Sequence, residues 1–145
     1  MTDWEMKVHN FMCLNKFVKK GEIVFTGSSL CELFPINEML QNVEPRIRVY
    51  NRGIGGDNTF GMIDRLPDIL KSKPRKIFLM AGINDLTGGQ PVDTIVMNIT
   101  RMADMVHEAV PGCRLYIQSV LPVNTRRLAY PGSASVSASK VPAFG

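Results

Sequence analysis

Three short segments carry the side chains best suited to chemistry: Gly27-Ser28-Ser29, Gly53-Ile54-Gly55-Gly56-Asp57 and Gly82-Ile83-Asn84-Asp85. Ser29 stands between a strand-type run and a helical stretch. There its hydroxyl points outward, and its own amide faces any anion held near the helix start. That arrangement suits an acyl-transfer nucleophile, whose amide also helps to bind the tetrahedral oxyanion. It equally suits a helix-capping serine with no chemistry. Gly55-Gly56 could let a bare backbone amide approach a ligand, or could simply make a tight turn. Asn84 could donate its side-chain amide to an oxyanion, or cap the turn before Leu86. Taken singly, each segment has the plainer explanation.

The elements around these segments follow one cycle. Thr2-Asp3-Trp4-Glu5 reads as a capping box, and Trp4, Val8, Phe11, Leu14 and Val18 then recur at helical spacing up to Gly21. Glu22–Thr26 is a short strand ending at Gly27. A helical pattern follows through Leu30 and Leu33 and restarts at Pro35. Ile47–Tyr50 is a strand, and 51–57 a glycine-rich turn. Phe60, Ile63, Leu66, Ile69 and Leu70 form a helix face. Lys76–Ala81 is a nearly unbroken apolar strand, as expected for one buried on both faces. Gly82–Asp85 is expected to be a loop. Pro91 opens a long helix that ends near Pro111-Gly112, and Arg114–Ser119 is a fourth strand. Four strand–helix alternations predict a parallel sheet wrapped by helices. In such sheets ligands bind beyond the carboxyl ends of the strands, where all three segments fall.

Composition narrows the function. The chain has 145 residues, 45% of them hydrophobic, and suits one domain. No apolar run approaches the eighteen or so residues of a membrane span, and residues 1–10 lack the layout of a signal peptide. The net charge of +4 invites a nucleic-acid reading. Yet residues 125–145 carry Arg126, Arg127 and Lys140 with no acid, so most of the excess lies there and no basic face is implied elsewhere. Cys13, Cys31 and Cys113 are an odd set without metal or redox spacing, which suggests reduced thiols and a cytoplasmic location. No His/Cys/acid cluster suggests a metal, and no cofactor is implied.

Together the three segments resemble the SGNH hydrolase superfamily, also called GDSL esterases and lipases. Its first block appears as Ile23-Val24-Phe25-Thr26-Gly27-Ser28-Ser29-Leu30, with Ser28 where the commoner form has Asp. The second appears as Asn51-Arg52-Gly53-Ile54-Gly55-Gly56-Asp57, and the third as Gly82-Ile83-Asn84-Asp85. Order and spacing match over about residues 20–124. Gly27-Ser28-Ser29-Leu30-Cys31 is not the G-x-S-x-G elbow of ordinary α/β-hydrolases. The resemblance implies a three-layer αβα sandwich with a flavodoxin-like parallel sheet. It also implies a serine hydrolase of small acyl esters, in which Ser29 is the nucleophile, Gly56 the backbone oxyanion donor and Asn84 the side-chain donor. Asp85 would support its loop.

The family's fourth block, a D-x-x-H supplying the general base, has no match here. The two histidines are His9, on the first helix, and His107, on the long helix flanking the sheet. After Ser119–Asn124 the pattern stops. Residues 125–145 hold four Ser, four Ala, two Pro and two Gly, and no Asp, Glu, Asn, Gln or His. They read as a flexible or non-native tail on an incomplete domain spanning 1–124, with the last strand and helix missing. The edge of the fourth strand would then be bare, and self-association is expected. A base-free serine is a poor nucleophile, so weak activity or none is expected. The competing readings are a non-catalytic α/β binding module and an inactive remnant. A phosphate-binding role fits poorly, because G-I-G-G-D lacks both the G-x-G-x-x-G spacing and a Walker lysine. Cys31 is a weaker alternative nucleophile, with no histidine near it in sequence.

Overall fold

The computed structural model describes residues 1–122; the proposed tail at 125–145 lies outside them. The elements run α1 (Asp3–Leu14), β1 (Ile23–Gly27), α2 (Ser29–Glu32), α3 (Ile36–Met39), β2 (Val49–Gly53), α4 (Thr59–Leu70), β3 (Lys76–Met80), α5 (Ile83–Thr87), α6 (Val92–Ala109) and β4 (Arg114–Gln118). The four strands form one parallel sheet in the order β2-β1-β3-β4. This is the expected α/β architecture, with the sequence order reversing at β1 so that a crevice opens beyond the strand ends.

The side-chain alternation of the strands separates two faces. Val24, Ile77 and Leu79 pack against Met62, Leu66 and Ile69 of α4 and Met102 and Val106 of α6, forming the buried core. Burying one such side chain is worth about 1.5–3 kcal/mol. The opposite face carries a row set by the register Phe25↔Phe78↔Tyr116. These rings stack at centroid distances of 4.8 Å, and Phe34, just beyond α2, adds a fourth at 6.2 Å from Phe25. Tyr116 is 41% exposed. Among the described residues, α2 and α3 flank this face while α4 and α6 cover the other.

Several boundaries differ from expectation. α1 stops at Leu14 instead of continuing to Val18. Asn15 caps it with helical backbone, and its side chain donates to Asp68 Oδ2 (2.7 Å) and accepts from Arg52 Nε (2.8 Å). The predicted capping box is formed, with Thr2 and Glu5 each bonded to the other's backbone amide. β2 reaches Gly53, because Asn51, Arg52 and Gly53 pair with Phe25, Thr26 and Gly27. The Gly82–Asp85 segment is not a loop: it enters the one-and-a-half-turn helix α5, with Gly82 as its cap. Among the described residues no helix is long and apolar enough to cross a membrane.

Candidate active site

The three segments meet at the carboxyl edge of the sheet because each leaves the end of a neighbouring strand. α2 begins directly after Gly27, and this close approach requires glycine: a β-carbon there would lie 2.5 Å from the Met80 carbonyl oxygen and 2.7 Å from Cys31 Sγ. Ser28 occupies the cap position of α2. It is 3% exposed and makes no side-chain cap hydrogen bond. Ser29 is the first helical residue and is exposed. Capping therefore does not explain Ser29.

Ser29 adjoins the glycine turn, since a β-carbon on Gly55 would stand 3.9 Å from Ser29 Cβ. Gly56 follows with φ +76°, in the left-handed region that favours glycine, and nothing packs against the position of its missing side chain. Among the described residues its N–H meets no protein acceptor. On the far side of the turn, Asn84 Nδ2 donates to the Asp57 carbonyl at 2.7 Å. One of its two N–H groups is thereby used to orient the carboxamide, leaving the second for another acceptor. The contacts thus run Ser29 to Gly55, through Gly56 to Asp57, and on to Asn84.

Charged side chains hold this turn from below. Asp57 accepts from Arg65 Nε (2.7 Å), Trp4 Nε1 (3.0 Å) and Asn58 N (3.0 Å). The same Arg65 donates to the carbonyls of Arg52 (2.6 Å) and Gly27 (3.1 Å), so one guanidinium ties together β1, β2 and the turn. Burial pushes the Asp57 carboxyl above its ordinary value, while Arg65 pulls it back. Asp85, 1% exposed, accepts from the backbone and hydroxyl of Thr59, whose hydroxyl also accepts from Asn98 Nδ2 at 2.9 Å. Asp85 therefore anchors α5 to α4, the supporting place expected for it. Glu32 Oε2 accepts from Gly55 N at 2.7 Å, and its other oxygen pairs with Lys7 Nζ at 2.9 Å. Hydrogen bonds to Asp3 and Glu32 raise the Lys7 ammonium above its usual value.

Cys31 is buried and donates weakly to the Thr26 carbonyl at 3.5 Å; burial raises its thiol, the reverse of an activated nucleophile. An apolar cleft of about 250 Å³ lies beside α2, lined by Phe25, Leu30, Phe34, Met80 and Leu121 among others.

Neither histidine joins the site. His9 is exposed on α1, with Nε2 3.8 Å from Cys13 Sγ. His107 is exposed in the last turn of α6. That helix starts near the carboxyl edge and runs back about 25 Å at 1.5 Å per residue, so its end lies at the opposite edge. There the Ala109 carbonyl accepts from Lys73 Nζ, just ahead of β3. Among the described residues neither histidine faces Ser29.

Sequence reasoning missed Arg65, Glu32 and Lys7. Arg65 had a legible signal, being a charged residue in the otherwise apolar stripe Met62–Arg65–Leu66–Ile69. Glu32, one helical turn after Ser29, shares its side of α2; Lys7 had no signal of its own.

The four-stranded parallel α/β sheet with its flanking helices is the fold of SGNH hydrolases. Residues 35–140 match the model of the GDSL-like Lipase/Acylhydrolase family, and the chain belongs to that family. The match spans Gly56 and Asn84 and begins after Ser29. Among curated relatives, the chain is 27% identical over 121 residues to platelet-activating factor acetylhydrolase IB subunit alpha1 from Bos taurus and, to the same degree, to its Homo sapiens counterpart. Each alignment covers 82% of this chain and 51% of the relative, so the chain spans about half the length of these proteins. A solved structure from Streptococcus pneumonia, whose description refers to platelet activating factor, is 30% identical with a TM-score of 0.76, covering 86% of this chain and 58% of that one. A GDSL-like lipase from Bacteroides thetaiotaomicron, 21% identical, shares the fold with a TM-score of 0.67 over 79% of this chain and 58% of its own.

Proposed function

We propose that this chain provides the nucleophile and oxyanion-binding half of a serine hydrolase acting on small acyl esters. Ser29 Oγ attacks the acyl carbon. The oxyanion that develops is received by the Ser29 and Gly56 N–H groups and the free N–H of Asn84. Each such donor, placed where charge develops, is worth roughly 10²–10³-fold in rate. The apolar cleft beside Leu30 suits the hydrocarbon part of an ester. The acetylhydrolase named among the relatives makes an acetyl ester the first substrate to test.

The observation that carries this reading is the adjacency of Ser29, the Gly55-Gly56 turn and Asn84 at one strand edge. Ester hydrolysis also needs a group to take the Ser29 proton, and neither His9 nor His107 is placed for it. Without that group, binding and the oxyanion hole alone leave roughly 10³–10⁴-fold catalysis over water, as in proteases stripped of triad members. The chain alone should therefore turn over p-nitrophenyl acetate slowly and label slowly with a fluorophosphonate, with the label on Ser29 and none in Ser29→Ala. Rapid turnover that disappears in Ser29→Ala would overturn the missing base. Labelling unchanged by Ser29→Ala would overturn the nucleophile. The missing base also favours a second reading, a non-catalytic binding module. Melting that shifts with acetate esters or nucleotides, with no labelling of Ser29, would select it.

A further inference from the structure

Resting on that reading, we infer that Glu32 is a positioning residue: its carboxylate clamps the oxyanion-binding turn onto the helix that carries Ser29, and Lys7 screens the charge this brings. The turn needs such a clamp. Gly56 is exposed, is glycine at positive φ, and has nothing packed against its missing side-chain position. The direction of its N–H therefore depends on its two neighbours in the chain. Asp57 is fixed on one side by its own amide to the Ile54 carbonyl (3.2 Å) and by its side-chain bonds to Arg65, Trp4 and Asn58. On the other side, the Gly55 amide is held by Glu32 Oε2 at 2.7 Å.

Ser29 and Glu32 are three residues apart on α2, so they lie on one side of it. The helix that carries the hydroxyl thus also carries the tether of the turn, and any small shift of α2 moves both together. That preserves the spacing between nucleophile and donor, which reaction geometry demands to within a fraction of an ångström.

A bare carboxylate at this place would oppose a developing oxyanion. Lys7 Nζ, 2.9 Å from Glu32 Oε1, offsets it and is itself held by Asp3 at 2.9 Å. The first helix thereby reaches the site through a cation that needs no contact with substrate.

The experiment pairs two readouts on the full chain. The first is the rate of fluorophosphonate labelling at Ser29. The second is amide hydrogen exchange at Gly55, followed by NMR. Glu32→Ala should slow labelling about tenfold, the scale of a displaced rather than deleted donor, and should speed exchange at Gly55, whose amide Glu32 holds. Glu32→Gln keeps a carbonyl acceptor for Gly55 and should restore both. A residue needed only for folding would not act on exchange at this one named amide. Lys7→Met should slow labelling a few-fold while exchange at Gly55 stays protected, and should lose that effect in the Glu32→Gln background. Should Glu32→Ala fail to melt cooperatively, Glu32→Asp, shorter by one methylene, takes its place. Unchanged exchange at Gly55 in the Glu32→Ala or Glu32→Asp chain would overturn the inference. So would wild-type labelling in that chain. Absence of label on wild-type Ser29 would instead sink the hydrolase reading, and the exchange result would still decide the role of Glu32.

Discussion

Replacing Arg65 by Met removes a cation whose side chain is 4% exposed from a partner, Asp57, that is 2% exposed. Methionine fills much the same volume, so the loss is chiefly electrostatic. Asp57 would keep only Trp4 Nε1 and Asn58 N as donors, and the Gly27 and Arg52 carbonyls would each lose one. Stripping one member from a buried pair costs about 3–5 kcal/mol, while the two carbonyls keep the Ile54 amide and the Thr26 hydroxyl as donors and add little. Set against a total stability of about 5–15 kcal/mol, this is enough to bring the domain near its unfolding threshold. Urea titration provides the assay. Trp4 fluorescence serves as a local probe, because this one tryptophan touches Asp57, and circular dichroism serves as the global probe. Burial already holds the Asp57 carboxyl above its ordinary value, and without Arg65 it rises further. The folded variant then binds the Asp57 proton more tightly than the unfolded chain, whose value is about 3.9. The contribution of Asp57 to its stability is therefore greatest in acid and falls as pH climbs from about 4 through the folded value. The gap between variant and wild type should widen from acid to neutral pH. Adding Asp57→Asn to Arg65→Met should recover part of the loss, giving a double change milder than the sum of the singles. A loss below about 1 kcal/mol, the same at pH 4 and pH 7, would refute the assignment of Arg65 as the tie between strands and turn.

Other consequences can be checked separately. Gly56→Ala meets no neighbouring atom, so its cost should be the left-handed backbone alone, about 1–2 kcal/mol by urea titration. Gly27→Ala meets backbone and the Cys31 sulfur at once and should melt several degrees lower than Gly56→Ala, the order that a thermal scan would read. The Cys31 thiol, buried and raised, should react with Ellman's reagent after Cys13, and equal rates would contradict its burial. Ile117 is 50% exposed on β4, an edge strand among the described residues; sedimentation should show concentration-dependent association that Ile117→Lys reduces.

The features legible in the sequence are those that repeat along the chain. Strand–helix alternation, the apolar β3 run and the three glycine-bearing strand ends are local patterns, and all four strands and the crevice follow from them. The capping box at Thr2 and Glu5 is equally local. The misread boundaries lie at long-range contacts. Where α1 ends, Asp68 and Arg52 hold the Asn15 side chain from 53 and 37 residues away. β2 runs on through Arg52 because parallel pairing continues to Gly53 and because Phe11 and Tyr50 sandwich its guanidinium, 5.0 and 5.5 Å from their ring centres. α5 is invisible to periodicity at five residues, and its anchor, Asp85 on Thr59, crosses 26 residues. At the site, the residues that would do chemistry were marked by type and spacing, whereas those that hold them, Arg65, Glu32 and Lys7, are defined only by whom they meet.

The strand order has a consequence for how the chain is made. β1 emerges from the ribosome first but lies inside the sheet, paired with β2 and β3, and its partner Lys76 follows Ile23 by 53 positions. At about 5–20 residues per second, roughly 3–10 seconds pass during which one flank of Ile-Val-Phe-Thr-Gly has no strand to bind. The nascent polypeptide is most vulnerable to misassembly in that interval, and slow codons placed between β2 and β3 would lengthen it.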